Sequence, residues 1–384
     1  MLIRFSANLA QQSIPAAQPY SVQPNPGRQN VESSKSVSKS TLDGVQALVH
    51  NTKPMAAAYR GDQHPEVLFL GSAVITDNSG HVLNKFGSPH HVIKTRSSIK
   101  PLHAALLYKL LKERGQENLL TPPEWAVLSS SHAGTPKHIK YLTSAMKKLG
   151  VRESELICKT DHPTDKQADA DIRSRWWKLP RPIHHQCAGH HTVLTAISRL
   201  IGANPTDYWK IDGKLQQYCL EKLTSNQPGQ PEKIKLVKYD GCNIPTVSLP
   251  LDQYAITWAN FAANPMNHTI INAMSTHPDL IGDKSRIDGQ LMNVTNGRLI
   301  AKFGSDGNLC VANPHKKQAM VLKNWNGSDS VNGLTVIEAL AQVKWLTPPE
   351  VKILRDMPQF QLVQKNHRGE LVRTVKVDAH LWDQ

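Results

Sequence analysis

The first fifty positions show no apolar period; Ser, Gln, Asn and Pro dominate them, and residues 1–50 are read as a disordered polar segment. From Met55 the pattern changes. Val67-Leu68-Phe69-Leu70 and Ala73-Val74-Ile75 are short β-rich runs, Asp77-Asn78-Ser79-Gly80 is a turn, and Val82-Leu83 resumes a strand. Helical spacing follows over Pro101 to Arg114, with Leu102, Ala105, Leu106 and Leu110 on one face and Gly115 closing it. Thr121-Pro122-Pro123-Glu124 and Thr347-Pro348-Pro349-Glu350 are capping boxes with proline at the first helical position. Trp125 to Leu128 reads as a buried strand. Further helices are predicted from Thr135-Pro136 to Gly150, over 188–201 before Gly202, and over 252–263. Strands return at Leu299-Ile300-Ala301, Leu309-Cys310-Val311, Ala319 to Leu322 and Leu371-Val372-Arg373.

Strands at both ends around central helices predict an α/β protein, in which one mixed sheet with flanking helices is completed by both termini. Residues 51–384 are expected to form a single domain, since no linker divides them.

Composition narrows the class. No apolar run approaches the ~20 residues of a membrane span. Five scattered cysteines read as reduced thiols, which points to the cytoplasm. Met1 to Ser6, with no acidic residue before Glu32, keeps organelle targeting or secretion of an effector as the alternative. The net charge of +14 raises nucleic-acid binding, but the basic residues are spread along the chain and aromatics are only 6%. A basic solubility surface is the simpler reading.

Four places carry candidate chemistry. Ser97 and Lys100 are three apart at the mouth of a helix, where a lysine of lowered pKa can take a serine proton. The plainer alternative is an N-cap serine beside a solvated lysine. Ser129-Ser130-Ser131-His132-Ala133-Gly134 suits a substrate-facing loop or an ordinary turn. His184-His185-Gln186-Cys187-Ala188-Gly189-His190-His191 sets Cys187 and His190 at a helix N-terminus, which favours a thiolate. With Cys242 they are compatible with zinc, or with a buried cysteine among satisfied histidines. Lys302 precedes a glycine-rich turn and either reaches a pocket or is simply exposed.

In order along the chain these pieces resemble the asparaginase II family, typified by a thermolabile rhizobial L-asparaginase. Arg60-Gly61 resembles an early R-G step. Residues 96–103, RSSIKPLH, resemble R-S-x-x-K-P-x-Q, and 130–138, SSHAGTPKH, resemble S-H-s-G-e-p-x-H. Residues 158–163, CKTDHP, resemble C-G-x-H-x-P, and 186–191, QCAGHH, resemble N-C-S-G-K-H. Residues 240–246, DGCNIPT, resemble D-G-C-G-x-P-T, and 302–307, KFGSDG, resemble K-x-G-A-E-G. Asn366-His367-Arg368-Gly369 closes the series.

The resemblance implies a fold similar to serine β-lactamases and penicillin-binding proteins, hydrolysis of L-asparagine to aspartate and ammonia, and a homodimer. It implies Ser97 as nucleophile with Lys100 as its base, Ser131 with Lys302 as a second serine–lysine pair, and zinc on Cys187, Cys242 and the position of His190. The chain departs from the pattern at His103, Thr135, His185-Gln186, Ala188 and His190. Three readings stay open: a more conventional zinc ligand set, another amide substrate, or a relative that binds without turning over.

Overall fold

The computed structural model describes residues 39–50, 52–61, 64–174, 179–225, 228, 233–378 and 380–383. The expectation of a disordered start therefore lies outside the described residues over 1–38. Within the rest of that segment Lys39–His50 form a helix, α1, where Leu42, Val45 and Val49 recur at helical spacing. Residues 47–384 form one compact unit.

The two ends of that unit meet in one sheet. The opening strands are β1 (Lys53–Tyr59), β2 (Pro65–Asp77) and β3 (Val82–Phe86), followed by a short β4 (Val92–Lys94). The runs at 67–70 and 73–75, separate in sequence, are one long strand, because Gly71 and Ser72 continue the ladder between them. The middle of the chain is mostly helical: α2 (Lys100–Lys112), α3 (Pro122–Leu128), α4 (Pro136–Lys148), α5 (Lys166–Arg173), α6 (Ala188–Leu200) and α7 (Lys214–Thr224). Then come β5 (Lys235–Val237), β6 (Thr246–Pro250), α8 (Leu251–Ala263), α9 (His268–Thr276) and α10 (Ile287–Val294). The last third supplies β7 (Ile300–Gly304), β8 (Asn308–Asn313), β9 (Gln318–Asn324), α11 (Asp329–Gln342), α12 (Pro348–Arg355), β10 (Val363–Lys365) and β11 (Leu371–Val377).

The large sheet runs β10-β11-β1-β2-β9-β8-β7, with β3 also on β2. β1 pairs with β11, Ala56 opposite Val377, so both termini do complete it. Its ladders are antiparallel, not mixed as expected. A smaller antiparallel sheet runs β4-β6-β5.

Alternation along the strands divides the interior into two cores. Val74, Val321, Cys310 and Ile300 face the helical layer of α2, α3, α6 and α8. Ala73, Ile75, Met320, Leu322 and Val311 face α11 and α12.

Two expectations change. Trp125 to Leu128 is helix, not strand: Thr121 and Glu124 close the capping box, and the buried stretch is the body of α3. α2 is buried almost all round, so Ala104, Leu107, Tyr108 and Leu111 join the core while Leu102 and Leu106 are only half-buried. An element enclosed on several sides has no single apolar stripe for a period to reveal. No helix among the described residues is long and apolar enough to cross a membrane.

Candidate active site

The site begins in the turn before α2. Arg96 takes a left-handed conformation, φ 49°, which a side chain rarely adopts without support. Support comes from Asp240, 2.9 Å from Arg96 Nε, and from an ion pair with Asp306. A 3₁₀ turn over Arg96–Ile99 then delivers Lys100 as the first residue of α2. Ser98 is bound into the scaffold, with Oγ 2.5 Å from Thr95 O and 2.8 Å from the Tyr254 hydroxyl. Ser97 Oγ makes no hydrogen bond among the described residues, and Ser97 lines a cavity together with Lys100, His103, His190 and Cys242. The end of β7 lies against this turn: a Cβ on Gly304 would stand 2.9 Å from Thr95 O and 3.1 Å from Ser98 N.

Ser131 sits in the segment between α3 and α4, its backbone N–H donating to Ile281 O at 3.1 Å. Two buried lysines converge on it. Lys100 Nζ is 2.9 Å from Ser131 Oγ and Lys302 Nζ is 3.3 Å from the same atom. The expected Ser131–Lys302 pair is therefore assembled. Lys100, in contrast, is bonded to Ser131 and to Cys187 Sγ at 3.3 Å, not to Ser97. Lys302 also donates to Phe303 O at 2.8 Å and lies 3.5 Å from Asp288 Oδ2. Burial pulls the Lys302 amine down to about 7, with the Asp288 carboxylate working in the opposite direction. Asp288 belongs to the site and has no sequence motif: it is the second residue of α10, and only the packing of α10 on β7 brings it there.

Cys187 precedes the first residue of α6, and Cys242 reaches it from the segment before β6. The Cys242 thiol donates to Cys187, and Lys100 adds its charge, so Cys187 is held well below the usual thiol range and Cys242 is raised. His190 turns to a different partner. Its Nε2 lies 2.8 Å from His103 Nδ1, with the rings stacked at 17°. Burial lowers both, His103 to about 4, so the pair is neutral at physiological pH. Cys187 and Cys242 come together as expected, while the His190 nitrogen facing His103 is already taken. Among the described residues no group of three or more His, Cys, Asp or Glu side chains is arranged to hold a metal ion. As placed, the residues do not fit a three-donor zinc set.

A model of the L-asparaginase II family matches residues 37–377. The chain belongs to that family. No curated protein matches it significantly in sequence. Among solved structures it is similar to a β-lactamase from Mycobacterium bovis, at 15% identity and a TM-score of 0.40 over 71% of this chain and 94% of that one. It is also similar to a class C β-lactamase from Rhodobacter sphaeroides, at 10% identity and a TM-score of 0.38 over 80% of this chain and 100% of that one. An octameric penicillin-binding protein homologue from Pyrococcus abyssi matches at 15% identity and a TM-score of 0.33, over 90% and 86% of the two chains.

Proposed function

We propose that the protein is a serine–lysine amidohydrolase that cleaves a small amide through an acyl-enzyme, with L-asparagine, giving aspartate and ammonia, as the leading substrate. The observation that carries this reading is Ser131 Oγ within hydrogen-bond reach of both buried amines, beside a cavity where Ser97 Oγ is unbonded.

Ser97 Oγ attacks the amide carbonyl carbon, and its proton passes to the Lys100 amine. Lys100 hands a proton to Ser131 Oγ as Ser131 gives its own to the departing nitrogen. The C–N bond breaks, ammonia leaves, and an ester remains on Ser97. Water then attacks that ester, with Lys100 again taking the proton and Ser97 Oγ taking it back. No step runs through a metal. The family membership supports the reaction class; the geometry supports the division of labour between the two serines.

Ammonia release from asparagine, glutamine and a panel of simple amides, with Ser97→Ala beside the wild type, is the test. Turnover unchanged in Ser97→Ala would sink the mechanism. The alternative, a binding relative without turnover, draws on the neutral His103–His190 pair. It is favoured if no amide is cleaved while ligands still shift the melting temperature. A homodimer is the assembly we propose, checked by light scattering.

A further inference from the structure

Lys302 and Asp288 are both fully enclosed. A protonated lysine has three N–H bonds, and three acceptors surround this one: Phe303 O at 2.8 Å, Ser131 Oγ at 3.3 Å and Asp288 Oδ2 at 3.5 Å. The carboxylate is itself fixed to the same strand. Asp288 Oδ2 accepts the N–H of Phe303, the residue after Lys302, at 3.0 Å. Asp288 Oδ1 accepts the N–H of Gly289 at 3.1 Å and lies 3.5 Å from Arg286 Nε. The α10 end and β7 are thereby tied together at the lysine.

We infer that Asp288 is a positioning residue that aims the Lys302 amine at Ser131. An amine nitrogen is tetrahedral. With one N–H on Phe303 O and another on Asp288 Oδ2, the remaining direction faces Ser131 whatever it carries. A hydrogen there donates to Ser131 Oγ; a lone pair there accepts from it. Losing or regaining a proton changes the sense of this hydrogen bond without turning the amine. Without the carboxylate, only the Phe303 carbonyl holds the amine, and it can rotate about that bond away from Ser131. The charged groups facing Lys302 are Asp288 and Arg286 from the α10 end and Lys100 from α2. Of these, Asp288 alone favours the ammonium.

The inference rests on the hydrolase reading for its catalytic meaning, but its geometry is measurable without turnover. Asp288→Asn keeps shape and an acceptor oxygen while removing the charge. Lysine labelled at Cε and Nζ, assigned with Lys302→Met, gives the Lys302 titration by NMR in both proteins, with circular dichroism confirming the fold. The Lys302 midpoint, near 7 in the wild type, is expected to fall by about one unit or more in Asp288→Asn. In Asp288→Ala, which removes the acceptor as well as the charge, kcat on any amide the wild type cleaves is expected to fall about 10- to 100-fold with KM little changed, since Ser131, the donor to the leaving nitrogen, loses the amine aimed at it. A folded Asp288→Asn protein whose Lys302 titration is unchanged overturns the inference. A wild type with no amide turnover removes the hydrolase reading instead and leaves the titration arm to decide on Asp288.

Discussion

His103 Nδ1 and His190 Nε2 stand 2.8 Å apart in a stacked pair. Both are positions where the chain leaves the family pattern, and each supplies the other's hydrogen-bond partner. Replacing either ring by Leu leaves the other with a buried, unpaired nitrogen, at an expected cost of about 1–3 kcal/mol. The double replacement is expected to cost less than the sum of the two, in a urea denaturation cycle. His103→Ala also frees His190 Nε2, so its zinc content by metal analysis is expected to exceed that of the wild type.

Ser97 and Ser131 are expected to fail differently. Ser97→Ala removes the acylated oxygen, so no acyl-enzyme appears by intact mass and turnover is lost. Ser131→Ala leaves the nucleophile but removes the hydroxyl between the two amines. Its ammonia release is expected to fall about 10²–10⁴-fold, the usual worth of a general acid.

Gly304 has little room for a side chain, because backbone atoms of Thr95 and Ser98 lie within 3.1 Å of where its Cβ would stand. Gly304→Ala is expected to cost about 1–3 kcal/mol of stability. The strain falls on the turn that carries Ser97, so kcat should fall as well. Gly213→Ala is the control, since its Cβ meets a backbone oxygen as closely, Lys210 O at 2.9 Å, at the start of α7 and not at that turn. It should lose comparable stability, and thermal melts with kinetics separate the two.

Acid is expected to destabilise the protein through buried neutral histidines. Burial lowers His138 to about 4. Its folded pKa lies below the unfolded value near 6.5, so the unfolded chain binds the extra proton first. The stability tied to the neutral ring is fully present above about pH 6.5 and is lost as pH falls toward 4, up to about 3 kcal/mol. In urea titrations His138→Gln should flatten the stability–pH curve over that window.

Much of the scaffold could be read locally. Both capping boxes, the Thr135 start of α4 and the glycines after α4 and α6 are signals within a few residues of one another, and the structure obeys them. The order of short motifs was equally legible, and it pointed to the family. What the chain could not show by itself depends on through-space partners. Periodicity cannot separate a short enclosed helix from a strand, so Trp125 to Leu128 was misread. Spacing put Lys100 beside Ser97, yet packing gives its amine to Ser131 and Cys187. The His103–His190 bond joins residues 87 apart, and the Asp288–Lys302 contact needs α10 laid on β7. The residue types were fixed by sequence; which nitrogen meets which oxygen was decided by the fold, because buried polar groups bond whatever the packing brings within 3 Å or so.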